Sequence, residues 1–291
     1  MSGNSLNGNT GVTKNRLIPG PVVIVGAGNM GGAIARALLR TIGHDELILV
    51  DPQPSTDIAG DMANAGIRVL SDPSTLATNP PAMVLLAVKP QVMEAVAPLY
   101  GQFSKSAVFI SIAAGTTIES MDAWLGQPNA LIRCMPNLPA AIGKGVTAGF
   151  ARPGTSQQSR AAAEALMRSV GDFVWLETEQ QIDAVTAVSG SGPAYVFHLV
   201  ECLAAAARSQ GLPPDIADTL ARRTIEGAGA LLAASPQSPE ALRRSVTSPG
   251  GTTEAALKVL MEGKRNETLL VEAVSAATRR AGELAHARGS K

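Results

Sequence analysis

Aromatic side chains are scarce: two Trp, two Tyr and five Phe make up only 3% of the 291 residues. Proteins that grip single-stranded nucleic acid stack bases on such rings, and this chain lacks the platforms. An excess of positive charge is missing too. Lys plus Arg and Asp plus Glu stand at 24 each, with no basic cluster to follow a phosphate backbone, so nucleic acid is not an expected partner. Cysteine occurs twice, Cys134 in an apolar run and Cys202 in a helical pattern, and His44, His198 and His286 are scattered. No zinc-ligand spacing is evident, so no metal is expected, and both thiols read as buried small hydrophobes in a reducing compartment. No apolar run is long enough to span a membrane. The first 18 residues, rich in Ser, Asn, Gly and Thr, lack the apolar stretch of a signal peptide. The expectation is an unstructured tail over 1–18 on a cytoplasmic protein that has no membrane partner.

What the chain has in quantity is apolar sequence, 45% of it, over a length that accommodates two domains. The pattern changes partway along. From Pro21 to about Glu177, short apolar runs at Val22–Val25, Leu47–Val50, Met83–Val88 and Ala107–Ile112 alternate with helical stretches at Asn29–Thr41, Thr56–Ala65, Gln91–Tyr100 and Thr117–Leu125. Strands apolar throughout suit a parallel sheet covered on both faces, and the alternation predicts an α/β fold with a doubly wound sheet. Runs at Leu131–Cys134, Val146–Phe150 and Phe173–Leu176 extend that sheet, with Ser156–Ser169 as a further helix. After Glu177 only helical patterns remain: Gln180–Gln210, Pro214–Ala234, Pro239–Thr247, Thr252–Glu262 and Asn266–Ala287. Proline-bearing breaks separate them. Small residues at Leu203–Ala207, Gly227 and Gly229 permit close helix packing, within one chain or between two. The boundary falls near 179, giving a sheet domain over 19–179 and an all-helical domain over 180–291.

The strongest local motif is Val22-Val-Ile-Val-Gly-Ala-Gly-Asn-Met-Gly31, a glycine turn between a buried strand and a helix. Gly26 permits the tight turn, Gly28 lets a pyrophosphate approach the backbone, and Gly31 lets helix and strand pack closely. Asn29 and Met30 lie at the helix N-terminus, where free N–H groups face the phosphates. Asp51, at the end of the second strand, can accept hydrogen bonds from an adenosine ribose and repel the extra phosphate of NADP, which leans the cofactor towards NADH over NADPH. Equally, Asp51 can simply cap its own turn with Pro52. Ala87, Val88 and Lys89 end a third strand, on the side of the sheet where ligands lie. Ser111–Thr116 ends another in small residues, and Arg133, at the end of a further run, reads equally as a functional or a surface arginine.

The helical half carries two motifs. Ser189-Gly-Ser-Gly-Pro-Ala-Tyr195 has serine where a nucleophile elbow requires glycine, and reads as a close-packing kink with Pro193 in a first helical turn. Val246-Thr-Ser-Pro-Gly-Gly-Thr-Thr253 precedes a helix. The N–H groups of Gly250, Gly251 and Thr252 form an anion site, and the hydroxyls of Ser248, Thr252 and Thr253 both donate and accept. The set suits a substrate with a carboxylate beside a nitrogen; a plain helix cap is the alternative.

Taken in order, GAGNMG, AVKP, SIAAGTT, RCMPN, SGSGPAY and TSPGGTT resemble the pyrroline-5-carboxylate reductase family over about Val22 to Leu284. The resemblance implies a Rossmann-type domain followed by a helical dimerisation domain. It implies reduction of L-1-pyrroline-5-carboxylate to L-proline by NADPH or NADH, in a homodimer sometimes assembled into a decamer. It also implies that Ser248 and Thr253 contact substrate, that the Gly251 and Thr252 backbone holds the carboxylate, and that Thr253 bonds the ring nitrogen as the catalytic contact. Val88, Lys89, Ala113 and Ala114 carry over as cofactor contacts. Family members often have Ser or Thr where Asp51 stands and Asn where Pro73 falls, a departure that again leans towards NADH. A protonated cyclic imine is already electrophilic, so positioning at about 3–3.5 Å is the main task and no catalytic triad is expected. Other readings are an imine or 3-hydroxyacid reductase of the same fold, or a non-catalytic dinucleotide binder. The hydroxyacid enzymes need a lysine where this chain has Val196.

Overall fold

A computed structural model describes residues 17–289; the expectation for the tail lies outside these residues up to position 16. The elements follow in the order β1 (Val22–Val25), α1 (Asn29–Leu38), β2 (Leu47–Val50), α2 (Thr56–Asn64), β3 (Arg68–Leu70), β4 (Met83–Leu86), α3 (Met93–Val96), β5 (Val108–Ser111), α4 (Ile118–Leu125) and β6 (Ala130–Met135). Then come β7 (Gly145–Ala151), α5 (Gln157–Arg168), β8 (Gly171–Trp175), α6 (Gln181–Val185), α7 (Gly192–Ser209), α8 (Pro214–Ala234), α9 (Pro239–Ser245), α10 (Thr252–Met261) and α11 (Arg265–Gly289). This is the mixed α/β architecture expected, strands alternating with helices up to β8 and helices alone after it.

The strands form one eight-stranded sheet in the order β3-β2-β1-β4-β5-β6-β7-β8. From β3 to β5 every pairing is parallel, with Val25 opposite both Val50 and Leu86. The chain winds outward from β1 to β3, then returns to add β4 on the other side of β1. The β1/β4 boundary is thus the topological switch point, where open α/β sheets bind ligands beyond their strand ends. Residues of β1, β2, β4 and β5 are all buried, as apolar strands must be when helices cover both faces.

The chain divides into two compact units. One holds residues up to Ser111 with Asp122–Ile132 and Ala151–Ser169; the other holds Ile112–Met121, Arg133–Phe150 and Val170 onward. In the second, α7 and α8 pack against each other, and α11 packs on α6 and the turn that follows it. Buried Ala204, Ala217 and Ala221 permit the close approach of α7 and α8. Gly227 and Gly229 instead face open space, so their small size is not used within the single chain. Apolar residues remain exposed along this half, among them Phe197, Leu199, Leu231, Leu269 and Val271. Among the described residues, no helix is long and apolar enough to cross a membrane.

Several expectations need correction. β3 was not legible, because a three-residue partly exposed edge strand carries no periodicity to detect. The strand drawn over Met83–Val88 stops at Leu86, where the chain turns. Gln91–Tyr100 is no continuous helix: α3 is flanked by 3-10 turns at Pro90–Val92 and Ala97–Phe103, since Pro90 and Pro98 supply no N–H donor. The long helix drawn over Gln180–Gln210 is interrupted by a π-turn at Thr186–Gly190. Cys134 is buried as expected, but Cys202 is exposed, with its Sγ 3.5 Å from His198 Nε2.

Candidate active site

The turn after β1 is shaped by its own packing. Gly26 has φ +97°, and its N–H donates to the Val50 carbonyl at 2.9 Å. A Cβ there would lie 2.9 Å from Val88 Cγ1 and 3.0 Å from the Ala87 carbonyl oxygen. A Cβ on Gly31 would strike the Gly26 carbonyl oxygen. Gly28 differs: a Cβ there would meet nothing within 4 Å. Among the described residues nothing crowds that position, so the space above it is open to a ligand that closes on the backbone. Gly28 is also the N-cap of α1 and provides no capping side chain, which leaves the first-turn N–H groups of Asn29, Met30 and Gly31 without an intrahelical acceptor. Those donors lie beside the exposed Gly28 and Asn29 and make a cradle that fits a pyrophosphate.

Asp51 braces this cradle. One carboxylate oxygen accepts the Ala27 N–H at 2.6 Å, the other the Gln53 N–H at 2.8 Å. One half-buried side chain therefore fills the turn-capping role. Across the switch point, the Ala87 N–H donates to the Val25 carbonyl at 2.8 Å, and Val88 packs over Gly26. Lys89 is exposed at the start of the next 3-10 turn.

In the second unit, Ala113 is buried and Ala114 half-buried in the loop leading to α4. Arg133 is not a surface residue; it is 4% exposed and paired with Glu179 at 2.8 Å. Glu179 had no signal in the sequence beyond its place at the boundary between patterns. Burial pushes the Cys134 thiol far above its ordinary range, so it stays protonated and is no nucleophile. Within the Ser189–Tyr195 motif, Gly190 is closely packed. A Cβ on Gly190 would come within 2.8 Å of Met135 Cε, and the Tyr195 hydroxyl donates to the Ala187 carbonyl at 3.0 Å.

The loop before α10 is organised by Gly250, whose φ of +70° turns the chain so that Gly251 becomes the N-cap. The Gly251 N–H donates to the Ser248 carbonyl at 3.0 Å, and the Gly250 N–H to Glu254 Oε2 at 2.8 Å. Two of the donors expected to face an anion are thus already engaged. Gly251 offers no capping side chain, so the first-turn N–H groups of Thr252, Thr253 and Glu254 are without an intrahelical acceptor. Beside them lies an open depression of about 650 Å³, lined by Arg243, Thr247, Gly250, Glu254, Lys258 and Met261 among others. Among the described residues no group of three or more His, Cys, Asp or Glu side chains is placed to hold a metal ion.

Known proteins extend this picture. A family model described as pyrroline-5-carboxylate reductase dimerisation matches residues 179–284, and one described as NADP oxidoreductase, coenzyme F420-dependent, matches 21–115. The pyrroline-5-carboxylate reductase of Pseudomonas aeruginosa is 39% identical over 272 residues, covering 92% of this chain and 98% of that protein. The Arabidopsis thaliana enzyme of the same name is 35% identical, covering 90% and 95%. A pyrroline-5-carboxylate reductase structure from Coxiella burnetii superposes with a TM-score of 0.83 at 35% identity, covering 91% of this chain and 98% of that one. A Plasmodium falciparum pyrroline carboxylate reductase with NADP bound gives 0.76 at 25% identity, covering 91% and 98%.

Proposed function

The chain belongs to the pyrroline-5-carboxylate reductase family, and on that premise we propose that it reduces L-1-pyrroline-5-carboxylate to L-proline with NAD(P)H. The observation that carries this reading furthest is the entrance to α10, a helix N-terminus that its own N-cap leaves open. In this assignment the N–H groups of Thr252 and Thr253 hold the substrate carboxylate, where the helix dipole favours negative charge. The Thr253 hydroxyl, half-buried at the second helical position, bonds the ring nitrogen, and Ser248 contacts the substrate from the preceding turn. Gly250 and Gly251 set the backbone that presents these groups. Glu254 keeps that backbone in place by taking the Gly250 N–H. No protein group is assigned as the proton donor: the imine arrives protonated from solution.

Gly26, Gly28, Asn29, Met30 and Gly31 would hold the pyrophosphate, with Asp51 at the ribose and Ala87, Val88, Lys89, Ala113 and Ala114 towards the nicotinamide. Bound there, the dinucleotide supplies hydride to the imine carbon. The carboxylate of Asp51, fixed by two N–H groups, disfavours a neighbouring phosphate, and on that ground we assign NADH as the preferred donor. The functional division is a dinucleotide-binding part over 19–179 and a substrate and dimerisation part over 180–291. The exposed apolar helices fit a homodimer interface, with a decamer as the larger assembly to test for and a cytoplasmic location as part of the same proposal.

The test is spectroscopic. Purified protein with pyrroline-5-carboxylate should oxidise NADH faster than NADPH and form proline. A strong NADPH preference overturns the cofactor assignment alone. Absence of proline with either cofactor overturns the reaction and favours a non-catalytic dinucleotide binder.

A further inference from the structure

Glu179 stands where the strands give way to helices, but its side chain reaches back across the sequence. Its Oε1 accepts the backbone N–H of Ile118 at 2.8 Å and a guanidinium N–H of Arg133 at 2.8 Å. Ile118 is the first residue of α4 and closes the run Ala113-Ala-Gly-Thr-Thr117. Thr117 already caps that helix locally, accepting the Ser120 N–H at 3.2 Å. A local cap is enough to start a helix. The bond from Glu179, 61 residues later in the chain, adds something a local cap cannot: with the Arg133 pair it ties the loop's exit to β6 and to the segment just before α6.

Arg133 explains why the tie is firm. It is 4% exposed, so its guanidinium has given up water and depends on Glu179 for charge compensation. That dependence keeps the carboxylate where the Ile118 N–H can use it. The loop's own Thr116 hydroxyl is buried with no hydrogen-bond partner among the described residues. We propose that Arg133 and Glu179 are positioning residues for the reaction: they fix the 113–117 backbone that, on the functional reading above, presents Ala113 and Ala114 to the nicotinamide.

Removing one charge alone would strand the other in the interior and could unfold the protein, so paired, charge-free variants make the test. Arg133→Met with Glu179→Gln keeps an acceptor for the Ile118 N–H; Arg133→Met with Glu179→Leu does not. Amide exchange without dinucleotide should be faster at Ile118 in the Leu pair by roughly 10-fold or more. Its kcat should fall about 10- to 100-fold while KM for the dinucleotide moves less than about 3-fold, because orientation is lost and the pyrophosphate cradle is not. The Gln pair should recover most of both. Equal exchange in the two pairs overturns the clamp, as does equal kcat with faster exchange in the Leu pair, or a KM that rises as much as kcat falls. If the native chain forms no proline, the functional reading fails. The exchange arm then still separates a real clamp from none.

Discussion

The turns that open α1 and α10 look alike in sequence, two glycine-bearing entries into a helix, yet the protein holds them by different means. At α1, Gly26 and Gly31 are dictated by close contact with Val88, Ala87 and each other inside a buried framework. At α10, a Cβ on Gly250 would meet nothing within 4 Å, and only its φ of +70° calls for glycine. The first turn is rigid because the sheet surrounds it. The second is held by one backbone hydrogen bond and a carboxylate at the surface. On the proposed function, the cofactor cradle is built into a core, whereas the loop for a small substrate stays open to admit it.

Substitutions can break or sharpen that contrast. The largest effect is expected at Gly31→Ala, where the new methyl meets a carbonyl that cannot move. Stability should drop by about 3 kcal/mol, or dinucleotide affinity by about 100-fold, read by thermal unfolding and fluorescence titration. Wild-type values for both would show the turn to be softer than its geometry. Next is Thr253→Ala: turnover should fall about 10- to 100-fold, with dinucleotide Kd changed less than about 3-fold. Unchanged turnover would remove Thr253 from the chemistry. Gly28→Ala separates folding from binding, since its methyl has room in the protein but not beneath a pyrophosphate. Stability should stay within about 0.5 kcal/mol while dinucleotide affinity drops roughly tenfold. The smallest effect is expected at Gly250→Ala, about 1 kcal/mol from left-handed strain alone. A loss as large as that at Gly31 would mean the two turns are not held differently after all.

Legibility in the sequence followed the same divide. β1, β2 and β4 were visible because parallel strands covered on both faces are apolar at every position, and Gly26-Ala-Gly-Asn-Met-Gly31 was meaningful because it followed one of them. β3 was invisible, being short and at an edge. Arg133 read as ambiguous because an arginine in an apolar strand finds its partner only across 46 residues, in Glu179. At the α10 entrance the residue types were legible but not the hydrogen bonds. That Glu254 takes the Gly250 N–H, leaving the N–H groups of Thr252, Thr253 and Glu254 open, depends on a rotamer and a turn geometry.

By itself the chain's order of residues determined the alternation of strands and helices, the glycine turn at the head of α1, and the motifs that mark the family. These rest on local periodicity and on backbone angles that few residues can adopt. The tertiary structure alone decided which N–H groups are spent and which remain, that Asp51 braces the turn it was expected to serve, and that Glu179 reaches back to Ile118 and Arg133. Hydrogen bonds and charge compensation are settled between residues far apart in sequence, and only folding brings those partners within 3 Å of one another.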